Sequence, residues 1–256
     1  MDVDYLVKQT LDSVWKDTLV KYSINPTRQY FPYGYVLGGQ PGAGKSYLTE
    51  LANEKCYKNI FIINGDDFRK YHPNYSELQR KFGKDSPKYT AAFAGKMTEA
   101  ILNKAIEEHY NIVIEGTFRT PETPIKTLSK MKENGYRTEV MIQTCNKEVS
   151  WKSCQERYVA MQKVDEINGT NEARWTDKAH HDLVCEVLAK NIKTVCESRK
   201  VDKTEVFFRY ESGNNELFYS SDSGKELNVK SLENKIGVYC PEKSIGKKRA
   251  IHEIER

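Results

Sequence analysis

Apolar residues at Val3, Leu6, Val7, Leu11, Val14 and Leu19 recur with charged residues between them, the 3.6-residue period of an amphipathic helix over residues 1–24. Pro26 ends that helix. Tyr35-Val36-Leu37 is a short apolar run closed by Gly38 and Gly39, with glycine again at 42 and 44. Ile60-Phe61-Ile62-Ile63 and Ile112-Val113-Ile114 are apolar without alternation, as strands buried on both faces must be, and Glu139 to Gln143 reads as a fourth strand. Between them, Pro87 to His109 carries Ala, Met, Ile and Leu at helical spacing. Lys147 to Met161 and Asp177 to Cys196 are helical too, separated by a loop from Asp165 to Arg174 that contains Asn168-Gly169.

Strands alternating with helices require right-handed crossovers, so the pattern predicts an α/β fold with a mostly parallel sheet flanked by helices. The period changes beyond Lys200. Val206 to Tyr210 and Glu216 to Tyr219 flank Ser212-Gly213-Asn214-Asn215, the mark of a β-hairpin, and the stretch from Lys243 is basic and helical at best. No linker or repeat divides the chain. The expected organisation is one domain: an N-terminal helix over 1–25, a core over 33–200, and a hairpin with a basic tail over 201–256.

Composition narrows the function classes. The 256 residues, 38% of them hydrophobic, can bury a sizeable core in one domain. Forty Lys and Arg against 36 Asp and Glu leave a net charge of +4, which makes no demand for a nucleic-acid partner. No run approaches the roughly 18 apolar residues of a membrane span, and Asp2 and Asp4 stand where a signal peptide is basic; a cytoplasmic location is expected. The six cysteines form no C-x-x-C pair, and His180-His181, adjacent on a helix, point about 100° apart. Reduced thiols and structural histidines follow.

The chemistry starts at Gly39-Gln40-Pro41-Gly42-Ala43-Gly44-Lys45-Ser46, which fits G-x-x-x-x-G-K-[ST] between a predicted strand and a helix starting near Ser46. Its glycines let backbone N–H groups curl around phosphate oxygens, Lys45 reaches the β- and γ-phosphates, and Ser46 offers its hydroxyl to magnesium. The loop by itself leaves kinase, ATPase and GTPase open. In an open parallel sheet the reactive groups gather at the C-terminal strand ends. Here those ends carry Asn64-Gly65-Asp66-Asp67-Phe68-Arg69 and Glu115-Gly116-Thr117-Phe118-Arg119-Thr120. A carboxylate there can take the proton of an attacking hydroxyl, and arginines, including the later Arg157 and Arg174, can neutralise a phosphoryl group in transfer. Asp67 is expected to cap a helix starting at Phe68, and Asp66 to face the γ-phosphate.

Taken together, these residues resemble the zeta toxins of bacterial toxin–antitoxin systems, above all their PezT branch. The likeness runs from Leu37 to about Leu188, through the phosphate loop, Gly65-Asp66-Asp67-Phe68-Arg69, His72-Pro73, Phe93 to Met97, Glu115 to Thr120, Arg157-Tyr158, Ala173-Arg174 and His180-His181-Asp182. The last sixty or so residues show no clear match.

The resemblance implies a P-loop kinase-like fold and an enzyme that uses ATP and magnesium to phosphorylate UDP-N-acetylglucosamine on the 3′-hydroxyl of its amino sugar. It further implies Asp66 as catalytic base, Lys45 as phosphate-loop lysine, and Arg157 and Arg174 on the ATP phosphates. Glu99, Glu115, Thr117 and Arg119 fall at sugar-nucleotide positions, and a small helical antitoxin is the implied partner. Two alternatives share the loop: a kinase for another small hydroxyl substrate, such as an antibiotic or nucleoside, and a non-catalytic nucleic-acid-binding module using Lys243, Lys247, Lys248 and Arg249.

Overall fold

A computed structural model of the chain describes residues 2–22, 24–170 and 172–238. The basic tail from Lys243 and its four named cations lie outside the described residues. The amphipathic N-terminal segment is a helix, α1 (Val3–Lys21), capped by the Asp2 carboxylate on the Asp4 N–H at 3.2 Å. Five strands then run parallel: β1 (Tyr33–Gly38), β2 (Phe61–Ile63), β3 (Ile112–Glu115), β4 (Arg137–Cys145) and β5 (Lys203–Arg209). A sixth, β6 (Asn215–Ser220), turns back antiparallel on β5 and completes the expected hairpin. Among the described residues the sheet order is β2-β3-β1-β4-β5-β6.

That order places β1 between β3 and β4, with its crossover reaching past β3 to β2, so a crevice opens outside the C-terminal end of β1. The helices are α2 (Ser46–Lys55), α3 (Tyr75–Phe82), α4 (Ser86–Glu107), α5 (Glu122–Glu133), α6 (Lys147–Asn168), α7 (Lys178–Glu197) and α8 (Val229–Ile236). The pattern had not shown α3, α5 or α8. These are short amphipathic pieces of 8 to 12 residues, whose few apolar positions are too sparse to set a period. α6 also outruns its expected end at Met161, reaching Asn168 before Gly169 stops it in the left-handed region at φ +66°.

The larger core packs α1, α4 and α7 against one face of the sheet, around Phe61, Phe93, Met97, Ile101, Leu188 and Ile192. A smaller one lies on the other face under α2, with Leu37, Leu48, Ile60 and Met141. α1 belongs to the first: Trp15 stacks on Phe61 with ring centroids 4.5 Å apart, and the Lys104 ammonium sits over Trp15 at 5.0 Å. Truncating Trp15 removes an aromatic pair and leaves a cavity beside β2. Trp15→Ala is expected to cost about 3 kcal/mol. Urea unfolding checks it, and a loss below about 1 kcal/mol would show that α1 contributes little to the core.

Candidate active site

The phosphate loop is shaped by what packs beneath it. A Cβ on Gly39, at φ +138°, would lie 2.0 Å from the Gln143 carbonyl oxygen, and one on Gly42, at φ +78°, would lie 2.0 Å from that of Ser150. Only glycine lets the loop lie on the end of β4 and the first turns of α6 this closely. Buried Gln40 ties the same surfaces: its amide donates to the Cys145 carbonyl at 2.8 Å, and its oxygen accepts from the Thr144 hydroxyl at 2.9 Å. The chain then enters α2 at Ser46, which is exposed, so the positive end of a ten-residue helix points into the crevice. The Lys45 ammonium lies back over its own loop, donating to the carbonyls of Gly39 at 3.2 Å and Gln40 at 3.5 Å. Burial, the dominant influence, lowers its pKa, with Glu115 opposing and the Arg157 charge adding to the fall. An anion arriving here supplies a counter-charge that this ammonium lacks.

The second strand end is corrected in detail by the structure. Residues Gly65–Tyr71 form a 3-10 helix, and Asn64 caps it, its side-chain oxygen accepting from the Asp66 N–H at 3.1 Å. Asp67 is therefore not the cap. Its carboxylate instead accepts from the Tyr22 hydroxyl at 2.7 Å and pairs with Lys21, both at the end of α1. Burial, then the Asp67 hydrogen bond, raises the Tyr22 pKa and keeps that hydroxyl a donor. The two carboxylates do diverge as expected, because Asp66 turns the other way. It takes a hydrogen bond from Arg69 Nε at 2.8 Å and lies 3.6 Å from Arg174 Nη1. Burial is the largest influence on Asp66 and pushes its pKa up, but Arg174, Arg69 and Lys45 together overcome it and hold the carboxyl below its usual 3.8. Asp66 is thus an ionised acceptor at neutral pH.

At the end of β3, Glu115 accepts from Thr49 of α2 at 2.9 Å and faces the Asn64 amide at 3.4 Å, so it stands between the phosphate loop and the Asp66 helix. Phe118 is buried with its backbone in the left-handed region at φ +57°, a conformation uncommon for a bulky residue. Asn191 of α7 holds that turn, donating to the carbonyls of Phe118 and Arg119 at 2.9 Å each. Thr117 and Arg119 flank the buried ring, Arg119 exposed and close enough to His180 to help lower its pKa after burial. Glu99 sits apart on α4, exposed and paired with Lys126 of α5 at 3.0 Å.

The arginines arrive from α6 and from the segment after it. Arg157 donates to the Thr176 hydroxyl at 3.1 Å. The segment leading to Arg174 is tied down by Asp165, whose carboxylate accepts from Thr170 at 2.6 Å and from the Glu172 and Ala173 N–H groups at 2.8 and 2.7 Å. Trp175 packs between Trp151 and Tyr158, and the Lys84 ammonium covers it at 4.4 Å. Arg174 Nη1 is buried without a hydrogen-bond partner. A phosphate oxygen would satisfy this orphaned donor. The donors around the same space, Ser46, Glu115 and Asp66, are hard oxygens of the kind magnesium prefers. The described residues hold no cluster of three or more His, Cys, Asp or Glu set for an ion of their own, and His181 is buried against the Ser150 hydroxyl at 2.8 Å.

The family model described as zeta toxin matches residues 16–223 of this chain. The chain belongs to the zeta toxin family. It is 37% identical over 207 residues to toxin PezT of Streptococcus pneumoniae, covering 79% of this chain and 78% of that one. It is 35% identical over 192 residues to toxin zeta of Streptococcus agalactiae, covering 75% and 65%. Among solved structures it resembles one from the PezAT chromosomal toxin–antitoxin system of S. pneumoniae, with TM-score 0.75, 28% identity, and coverage of 93% and 90%. The AvrRxo1-ORF1:AvrRxo1-ORF2 complex with ATP shares the fold at 16% identity, with TM-score 0.59 and coverage of 91% and 71%. The family match thus reaches further than Leu37 to Leu188, taking in the last turns of α1 and the β5–β6 hairpin.

In this zeta toxin family member the fold brings Lys45, Asp66, Glu115, Arg157 and Arg174 to one crevice, with Thr117 and Arg119 on the turn that follows β3 and Glu99 outside these contacts. Sequence reasoning left three contributors without roles. Arg69 was visible in the motif, whereas Asn191 and Arg209 carry no local signal and act through chain segments more than 50 residues away. The ion pairing around Asp66 has a direct consequence. A carboxyl with a depressed pKa adds stability above its unfolded pKa and loses it as pH falls through the folded value. Arg174→Gln is expected to move the Asp66 titration upward toward 3.8, read from its carboxyl carbon by NMR; an unmoved titration would mean that Arg174 does not face it.

Proposed function

We propose that the protein transfers the γ-phosphate of ATP to the 3′-hydroxyl of the amino sugar of UDP-N-acetylglucosamine. The observation that carries a phosphoryl transfer is the meeting of an ionised carboxylate, Asp66, with the partnerless Arg174 Nη1 beside the phosphate-loop lysine. The choice of acceptor rests on the family and its PezT and zeta relatives. The loop N–H groups, the start of α2 and Lys45 receive the β- and γ-phosphates of ATP. Ser46 would hold magnesium, whose charge would neutralise part of that on the phosphates. Asp66 orients the acceptor hydroxyl and takes its proton late, while Arg157 and Arg174 neutralise the oxygens of the phosphoryl group in flight. Glu115, Thr117 and Arg119 are assigned to the sugar nucleotide, and Glu99 with them if substrate draws it from Lys126.

An enzyme that consumes a cell-wall precursor of its own host must be blocked in the cytoplasm where that precursor is made. The PezAT relative comes from a toxin–antitoxin system, and we assign this protein a small helical antitoxin laid across the same crevice, competing with ATP.

Incubation with ATP, magnesium and a panel of sugar nucleotides, antibiotics and nucleosides tests the acceptor. UDP-N-acetylglucosamine alone is expected to gain the mass of one phosphoryl group, and a gain on another compound instead would replace the substrate. Asp66→Asn is expected to slow transfer by about 10²- to 10⁴-fold with ATP still bound. Asp67→Asn keeps an acceptor for Tyr22 and should cost less than about tenfold in rate and about 1 kcal/mol in stability. The reverse ranking would assign the base to the wrong carboxylate. Lys45→Ala should leave less than about a tenth of the wild-type turnover.

A further inference from the structure

Arg209 is the last residue of β5 and packs against the outside of the phosphate loop. Its guanidinium donates from Nε to the Ala43 carbonyl at 2.9 Å and from Nη2 to the Gly42 carbonyl at 2.9 Å. Nη2 also reaches the Ser153 hydroxyl at 3.2 Å, which anchors the same group to α6. In a trans peptide the C=O and N–H lie in one plane and point in opposite directions across the C–N bond. Holding the Ala43 carbonyl from outside therefore turns the Gly44 N–H inward. The neighbouring Ala43 N–H closes the turn onto the Gln40 carbonyl at 3.2 Å, so the Gly44 N–H is the group this contact sets free to meet an anion. The fit is close: a Cβ on Gly44 would stand 3.3 Å from Arg209 Nε.

We propose that Arg209 is a positioning residue that presets the peptide planes of the phosphate loop, so that nucleotide phosphates meet N–H groups already aimed at them. Without it, the peptides between Gly42 and Gly44 can rotate, which glycine permits at little cost, and binding must first restore their orientation. A guanidinium suits this work because its planar fork engages two carbonyls at once, whereas an ammonium serves as a point donor. The contact also gives the β5–β6 hairpin a role in the site: β5 pairs with β4 through Arg209 and Cys145, and β6 pairs back through Asn215 and Arg209. The inference rests on phosphate binding by the loop and is independent of which hydroxyl is phosphorylated.

The test compares wild type, Arg209→Met and Arg209→Lys by calorimetric titration with inorganic tripolyphosphate and with magnesium–ATP, alongside thermal melts and amide NMR spectra. Arg209→Met should weaken both ligands by about tenfold or more, and Arg209→Lys by less, the scale of losing one or two charge-assisted hydrogen bonds from a preorganised site. The Gly44 amide resonance should shift strongly on tripolyphosphate addition in wild type and weakly in Arg209→Met, a signature that general loosening of the fold would not confine to the loop. If a folded Arg209→Met binds within about twofold of wild type, the proposal is wrong. If that variant does not fold, Arg209→Lys decides by the same twofold limit and the same Gly44 signature. Failure of wild type itself to bind either ligand would instead overturn the phosphate-loop reading, and the positioning role with it.

Discussion

A loop that must offer its backbone N–H groups to phosphate cannot spend them on ordinary secondary structure, so something else has to hold it in shape. Here the holding is done by close contact and by captured carbonyls. Gly39 and Gly42 let the loop rest on the backbone of Gln143 and Ser150, at distances no other side chain would allow. Its own Gln40 then ties it to β4, and Arg209 grips it from β5. The crossover that places β1 between β3 and β4 follows the same need, since it surrounds the loop with strand ends on both sides.

Charge in the crevice is balanced around the position a phosphate would occupy. Lys45, Arg69, Arg157 and Arg174 face Asp66 and Glu115, and Asp66 stays ionised because cations outweigh burial. The residual mismatch is informative. Arg174 Nη1 is buried with no hydrogen-bond partner, Asp66 standing 3.6 Å away, and the Lys45 ammonium is folded onto its own loop carbonyls. A bound phosphate would offer both groups an anionic acceptor at hydrogen-bond distance.

The Asp66 helix shows how support reaches the site from distant chain. Asn64 starts the 3-10 turn, Arg69 ties Asp66 to the Pro87 carbonyl and Thr90 on α4, and Asp67 fastens the outer side to α1 through Tyr22. The N-terminal helix is thereby part of the scaffold of the crevice, in keeping with a family match that begins at residue 16.

The sequence by itself determined the α/β class, four of the five parallel strands to within a residue or two, the hairpin and the phosphate loop. Each of these is written locally, as unbroken apolar runs, helical periods and glycine spacing. It also identified the residues at the strand ends, because a parallel sheet places them together whatever the details of packing. Only the tertiary structure decided what those residues face. Asn64 and not Asp67 caps the turn, and the Asp67 carboxylate is taken instead by Tyr22, 45 residues earlier, and its neighbour Lys21. Glu99 turns to Lys126, Phe118 keeps an uncommon backbone under Asn191, and Arg209 grips a loop 166 residues earlier in the chain. Hydrogen bonds of this kind are short-ranged in space and indifferent to sequence separation, so no period or motif could announce them.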